Sequence, residues 1–420
     1  MFTNKMIADL LIPVVLEQLL NSIMGTADTM MVSNVGSAAI SAVSLVDSIN
    51  VLVIQAFSAL AAGGAIVCAQ YIGQKNVKRA NESARQVLFI ITAISVVISL
   101  ICLVFQKPML RLIFGSVEAE VMRASEIYFF YTALSFPFIA AYDSAASIFR
   151  AQDNTKGPML ISMISNVMNI AGNAMLIWGF HMGVAGAALA TLISRVFCAV
   201  VVLAQLRQDR QPIVVRDYLK IRPDFRMIRR ILSIGIPSGV ENSMFQLGKI
   251  AVLSLVSGLG TASLAANAVG NNIANFAILP GMSFGFALIT VCAQCVGAGD
   301  FEQVKYYTKH MMRVEYLCLI ASNLIVILAL PFILSVYNLS DEAARYANDI
   351  ILYHAACVVT IWPLSFTLPN TLRAAADVKV TMVLSIISMW VFRFGFSYLL
   401  TMVFHMGIFG VWVAMTIDWL

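Results

Sequence analysis

The chain has 420 residues, of which 60% are hydrophobic and only 12% are charged, and its mean hydropathy is +0.86. A water-soluble domain carries about 25% charged residues. This composition excludes an ordinary soluble enzyme, a disordered chain and a disulfide scaffold, and it predicts a polytopic membrane protein. The net charge of +5 does not indicate a nucleic-acid partner, because the basic residues do not gather on one polar face.

Apolar runs separated by charged or turn-forming segments follow one another along the whole chain. A helix that crosses the bilayer core needs about 20 apolar residues. Twelve runs are predicted to be such spans, near 7–33, 45–71, 87–106, 126–149, 158–179, 183–206, 230–257, 265–296, 313–336, 346–371, 379–403 and 407–420. The last run is too short to cross a core about 30 Å thick, so we expect the last helix to be truncated at Leu420.

Lys and Arg are distributed unevenly between the two sets of connections. Twenty of them lie on the side of the N-terminus and four on the opposite side. Because cytoplasmic loops carry the excess of basic residues, both termini are predicted to be cytoplasmic, in a multi-pass protein of the cell membrane.

Three motifs of the first half recur in the second half at an offset of 224 residues. The first motif, Ile12-Pro13 with Glu17, recurs as Ile236-Pro237 with Glu241. The second, Val67-Cys68-Ala69-Gln70, recurs as Val291-Cys292-Ala293-Gln294, and the third, Phe180-His181-Met182-Gly183, recurs as Phe404-His405-Met406-Gly407. The repeat predicts two six-helix lobes, 1–206 and 230–420, joined by a basic cytoplasmic linker, 207–229. Since six is even, the lobes should be related by a pseudo-two-fold axis along the membrane normal, with a cleft between them. This architecture favours an alternating-access carrier over a channel.

One carboxylate and three neutral oxygen-bearing side chains are predicted to share a layer of the N-lobe. Asp28, Asn173 and Thr191 should lie about 9–12 Å from the outer ends of their spans, and Asn169 about 15 Å. Such oxygen ligands suit a sodium ion, whereas Asp28 alone could take up a proton. Hydrogen bonding between helices is the structural alternative. The repeat mates of Asp28, Asn169, Asn173 and Thr191 in the C-lobe are Val252, Arg393, Ser397 and Met415. Because these lack a carboxylate and include a guanidinium, which would repel a cation, we expect a cation site in the N-lobe only.

Further polar residues are candidates for a substrate cleft. Glu17 and Glu241 are predicted near the membrane midplane and could bind a cationic substrate, or could equally be buried structural acids. Pro13 and Pro237 precede them by one turn and should kink their helices. The weaker candidates are Asp143 and the stripe of Asn267, Asn271 and Asn275.

The chain resembles the multidrug and toxic compound extrusion (MATE) family over its whole length. The resemblance is carried by Pro13 with Ala27-Asp28-Thr29, Gly36-x-x-Ala39, Ala69-Gln70-x-x-Gly73, Phe149-Arg150-Ala151-Gln152, and Gly183 to Thr191. It implies that Asp28, with Asn169, Asn173 and Thr191, binds the coupling ion. Some proton-coupled members have Asp where this chain has Asn173. Many members also have an acid eight residues after the helix-7 proline, where this chain has Phe245.

We therefore expect a secondary antiporter that exports organic, chiefly cationic and aromatic compounds in exchange for sodium ions or protons. It should act as a monomer with no cofactor. A lipid-linked glycan flippase of the wider superfamily is the alternative; it would favour a basic cleft, whereas acids are the more numerous embedded charges here. An intramembrane enzyme is not expected, because neither a His-x-x-x-Asp pair nor an H-E-x-x-H helix occurs.

Overall fold

A computed structural model describes residues 2–115, 117–208, 211–337 and 339–420, with the side chains at 24–29, 33 and 219 excepted. Throughout these residues the regular secondary structure is helical, without a strand. The α-helices are α1 (Asn4–Ser33), α2 (Ser37–Gly73), α3 (Val77–Val104), α4 (Gln106–Phe114), α5 (Ala119–Leu134), α6 (Phe136–Ala151), α7 (Lys156–Asn173), α8 (Val184–Leu206), α9 (Phe225–Ser257), α10 (Thr261–Gly297), α11 (Phe301–Val336), α12 (Asp341–Val358), α13 (Pro369–Ala374), α14 (Val378–Ile387), α15 (Phe396–Tyr398) and α16 (Gly407–Trp419).

Several helices continue into short segments of wider, π-helical geometry. These segments are Ala174–Gly179, Pro363–Thr367, Ser388–Gly395 and Leu399–Val403. Such segments are uncommon and mark places where the regular helical hydrogen-bond ladder is interrupted.

Long apolar helices dominate the described part of the chain. Eight of them are long and apolar enough to cross a membrane, and the pair α12 and Pro363–Ala374, bent by 60° at its break, would be a ninth. Large apolar side chains lie exposed on these helices, as with Leu328 and Phe332 on α11, which suits contact with lipid. The prediction of an all-helical, multi-pass membrane protein is confirmed. The predicted run 126–149 is divided between α5 and α6 at Ser135, just before Pro137.

The chain divides into two compact units. The N-terminal unit comprises Thr3–Gly239, and the C-terminal unit comprises Val240–Leu420 together with the first residues. The N-terminal unit is centred on fully buried aromatic side chains, among them Phe57 and Phe136, whose rings meet edge to face at 6.1 Å. In the C-terminal unit a buried cluster of aliphatic residues surrounds Trp412.

The 224-residue repeat is also present in the backbone conformation. Helices α2 and α10 both have 37 residues and begin 224 positions apart. Four pairs of described residues with positive φ recur at the same offset, including His181 (53°) and His405 (54°). Asn76 and Asp300 form equivalent N-caps, each accepting a hydrogen bond from the backbone N–H three residues on. The two sequence halves therefore turn and cap their helices in the same way.

Candidate functional site

Three of the predicted ion-binding residues form a hydrogen-bonded layer in the N-terminal unit. The Nδ2 of Asn173 donates to the Oδ1 of Asn169 at 3.3 Å, and the Nδ2 of Asn169 donates to the Oγ1 of Thr191 at 3.3 Å. The hydroxyl of Thr191 donates to the carbonyl of Ala187 at 3.0 Å. Both asparagines are buried where α7 packs against α8. The layer thus brings together amide and hydroxyl oxygens that a small cation can use as ligands.

Helix α1, which carries Asp28, runs parallel to α7. Near their starts, Lys156 lies 3.8 Å from Asp9. Further along both helices, the Nδ2 of Asn166 donates to the Oδ1 of Asn21 at 2.7 Å. The Asp28 side chain itself lies outside the described residues.

Glu17 is engaged in a buried ion pair. Its two carboxylate oxygens lie 3.0 and 3.1 Å from the Nη2 of Arg150, and the hydroxyl of Tyr142 is 3.5 Å from Oε1. The Glu17 side chain is 4% exposed and that of Arg150 is 23% exposed. Arg150 lies in the last turn of α6, so the pair joins α1 to the end of α6.

Glu241 forms the equivalent pair in the C-terminal unit. The Nη2 of Arg373 donates to its Oε1 at 2.5 Å, and the hydroxyl of Ser385 donates to the same oxygen at 2.7 Å. Asn370 accepts a further hydrogen bond from the Nη1 of Arg373 at 2.6 Å. Because Glu17 and Glu241 are repeat mates with equivalent arginine partners, both units use the same contact to fix two helices.

Two acids of the N-terminal unit lie near Arg195. Asp143 is half-buried and interacts electrostatically with Arg195 and Arg150. Asp47, which the sequence analysis missed, accepts hydrogen bonds from Asn50 at 3.2 Å and from the hydroxyl of Tyr128 at 3.3 Å. An aspartate at the start of an apolar run was the available signal for Asp47.

A basic and aromatic cluster occupies the C-terminal unit. The guanidinium of Arg393 lies 5.2 Å from the ring centre of Phe245, and the Nζ of Lys249 lies 5.1 Å from it. Arg393 also lies 3.7 Å from Asp418, which accepts a hydrogen bond from Ser388 at 2.6 Å. A cation held beside Arg393 would be repelled, because like charges at short range destabilise each other.

The asparagine stripe on α10 is divided between two environments. Asn267 is buried, and its Oδ1 accepts a hydrogen bond from the Nε1 of Trp412 at 3.1 Å. Asn271 and Asn275 are exposed. The stripe therefore includes one side chain engaged in helix packing and two accessible ones.

The remaining sequence features have simple structural settings. Pro13 and Pro237 both lie inside uninterrupted helices, α1 and α9. Cys292 and Cys295 are buried free thiols. The described residues contain no group of three or more His, Cys, Asp and Glu side chains that could hold a metal ion.

Many apolar spans, buried ion pairs and an oxygen-lined layer between helices are typical of a membrane transport protein. The MatE family model matches residues 13–175 and 237–399, two segments that are themselves 224 residues apart. The chain belongs to the MatE family. The predicted MATE resemblance is confirmed, and members of this family are transporters, not enzymes.

Relatives of known sequence and structure match almost the full length. "Probable multidrug resistance protein YoeA" of Bacillus subtilis is 28% identical, over 96% of this chain and 88% of that protein. "Probable multidrug resistance protein NorM" of Thermotoga maritima is 23% identical, over 99% of this chain and 89% of that protein. A solved outward-facing conformation of a multidrug resistance MATE family transporter has a TM-score of 0.92 at 19% identity, covering 99% of this chain and 92% of that chain. These names do not favour the flippase alternative.

Proposed function

We propose that this transporter is a secondary antiporter that exports organic compounds, chiefly cationic and aromatic ones, in exchange for sodium ions or protons. The observation that carries this proposal is the hydrogen-bonded layer of Asn169, Asn173 and Thr191. The relatives named as multidrug resistance proteins support the choice of substrate class.

The packing of α1 on α7 supports a role for Asp28 in the same layer. The two helices run parallel, and Asn21 meets Asn166 at 2.7 Å. Asp28 and Asn173 each follow these residues by seven positions, about two helical turns or 10 Å further along. Extended by these two turns, the register supports a position for residue 28 at about the level of Asn173.

For the architecture we propose twelve spans in two six-helix lobes related by an axis along the membrane normal. The two compact units and the double match of the family model support it. The excess of Lys and Arg on the side of the N-terminus supports cytoplasmic termini in the cell membrane. We propose that one chain suffices, because each unit has its own core.

In the proposed cycle, a cation entering from outside binds at the layer and favours the conformation that releases substrate outward. A ligand shifts such an equilibrium only by its difference in affinity for the two states. The layer must therefore bind the cation more tightly in one conformation. The C-terminal unit, where Arg393 occupies the repeat position of Asn169, would not bind a second cation there.

The test is transport of ethidium into proteoliposomes under an imposed sodium gradient and, separately, an imposed pH gradient. In the wild type, one of the two gradients should drive ethidium transport. In the Asp28→Asn variant, that same gradient should drive none. The control is Asp341→Asn, the same isosteric change at an exposed acid at the start of α12, which should transport normally. Full transport by Asp28→Asn would overturn the proposal.

A further inference from the structure

Glu315 is a buried acid that has no part in the layer or in the two ion pairs. It lies on α11, which packs against α10, α12 and the π-helical segment Pro363–Thr367. Its side chain has no exposed surface at all (0%). A carboxyl group in such a position must either be neutral or have a cationic partner.

The described surroundings of Glu315 supply one hydrogen bond and no cation. The hydroxyl of Thr367 donates to Oε1 at 2.6 Å, while Oε2 is buried without a partner among the described residues. Tyr316 and Cys318, on the same helix, are the titratable groups that interact with it electrostatically.

The charged groups of the neighbouring elements are all directed elsewhere. Helix α10 and the segment Pro363–Thr367 contain no charged residue or histidine. On α13, Arg373 pairs with Glu241. On α12, the ring of His354 packs against the rings of Trp412 and Trp419, with centre-to-centre distances of 5.4 and 5.6 Å. The charged residues in the first half of α12 are exposed; they are Asp341, Glu342, Arg345 and Asp349. On α11 itself, Lys309 and Arg313 are exposed, Lys305 pairs with Glu302 at the surface, and His310 stacks on Tyr306.

The internal repeat shows that this packing position does not require an acid. The counterpart of Glu315 at the 224-residue offset is Ile91 on α3, which is also fully buried. The N-terminal unit thus fills the equivalent site with an aliphatic side chain. A carboxyl group in the C-terminal unit costs stability that isoleucine would not cost, so a chemical role is the better explanation for it.

The single partner of Glu315 lies beside a break in a helix. Thr367 ends the π-helical segment that follows the 60° bend between α12 and Pro363–Ala374. Breaks and π-helical segments are places where helix geometry changes at low cost. A shift of this segment would remove the hydrogen bond from Thr367 to Oε1 and change the surroundings of the carboxyl group.

We propose that Glu315 is a proton-binding site of the transporter, separate from the layer of Asn169, Asn173 and Thr191, and that it is protonated in this conformation and deprotonated when the broken helix α12–α13 moves. This inference rests on the proposed transport cycle, since a proton site that responds to conformation is useful only to a protein that changes conformation. The bound ligand is a proton, transferred between the carboxyl group and water.

Infrared difference spectroscopy of the full-length protein in lipid tests the proposal without any transport measurement. In the wild type, a carbonyl-stretch band of a buried protonated carboxylic acid should be present at neutral pH and should change when ethidium is added. The Glu315→Gln variant should lack this band, and the matched Glu302→Gln variant, at an exposed acid of the same helix, should keep it. Thr367→Val should retain the acid but shift its band, because the hydrogen bond is lost.

Two results would overturn the proposal. One is a carbonyl-stretch region that Glu315→Gln leaves unchanged, which would assign all of the protonated-acid signal to other residues. The other is a Glu315 band that never responds to ethidium or to pH, which would make the acid a permanently neutral packing residue. If Glu315→Gln does not fold, Glu315→Ile, which introduces the side chain found at the repeat position Ile91, serves the same purpose. Because Asp28→Asn is tested by transport and Glu315 by its spectrum, the failure of one proposal is distinguishable from that of the other.

Discussion

The buried ion pair between Glu17 and Arg150 permits a quantitative test of how the N-terminal unit is held together. In the Glu17→Leu variant, the guanidinium of Arg150 remains largely buried without its carboxylate. Removing one partner of a buried pair costs about 3–5 kcal/mol. Since 23% of the Arg150 side chain is exposed, solvent screening reduces the cost, and we expect a loss of about 2–3 kcal/mol.

The reverse variant, Arg150→Met, should be the more damaging one. It leaves the Glu17 carboxylate, which is only 4% exposed, without a cation, so the full range of about 3–5 kcal/mol applies. The double variant Glu17→Leu/Arg150→Met removes both charges. A hydrophobic replacement of a buried pair is often nearly neutral, so it should be more stable than either single variant.

The assay is equilibrium unfolding in mixed micelles with increasing SDS, analysed as a double-mutant cycle. Glu302→Leu is the control, because Glu302 pairs with Lys305 at the surface, and we expect no measurable change there. The pair Glu241–Arg373 should behave in the same way as its repeat mate. The reasoning would be refuted if the double variant lost as much free energy of unfolding as the two single variants together.

Two further predictions concern packing and the segment between α8 and α9. Gly63→Ala places a Cβ 2.6 Å from the backbone nitrogen of Gly235, and because that backbone cannot move aside, the free energy of unfolding should fall by about 1–3 kcal/mol. The control is Gly179→Ala, whose added Cβ has no atom within 4 Å and should be tolerated. Thermal unfolding of the two variants tests this. The Tyr218 hydroxyl donates to the Leu203 carbonyl at 2.6 Å, and burial raises the pKa of Tyr218 from 10 to about 12. Because the neutral phenol is favoured in the folded protein, its contribution to folding stability is complete below pH 10 and is lost as the pH rises through about 12. Tyr218→Phe should therefore lower the free energy of unfolding by about 1 kcal/mol at neutral pH. Unfolding measurements from neutral to alkaline pH should also show a smaller loss of stability in this variant than in the wild type.

Composition and periodicity were enough to predict the class of the protein. A long chain with few charges has to place most of its residues in lipid or in helix contacts, and ordered motifs such as Gly183 to Thr191 predicted the family. The layer of Asn169, Asn173 and Thr191 could be predicted because positions four apart share a helix face, and because depth follows from distance to the helix end.

Tertiary partners could not be predicted in this way. Glu17 was placed as a midplane acid, but nothing local in the sequence shows that Arg150, 133 residues away, pairs with it. The sequence does not distinguish Asn267 from Asn271 and Asn275, whereas in the structure Asn267 accepts a hydrogen bond from Trp412. Glu315 comes two residues after Arg313 at the start of an apolar run, where charges are ordinary; only the comparison with Ile91 distinguishes it.

The central claim, obligatory exchange of an organic compound for a cation, is tested most directly by running the transporter in reverse. Proteoliposomes with an imposed ethidium gradient, and no initial gradient of sodium or pH, are monitored for sodium flux with a radioactive tracer and for internal pH with a trapped dye. We expect ethidium movement to drive the opposite movement of one of these cations, and to drive none in the Asp28→Asn variant. Ethidium movement in the wild type without movement of either cation would contradict the account.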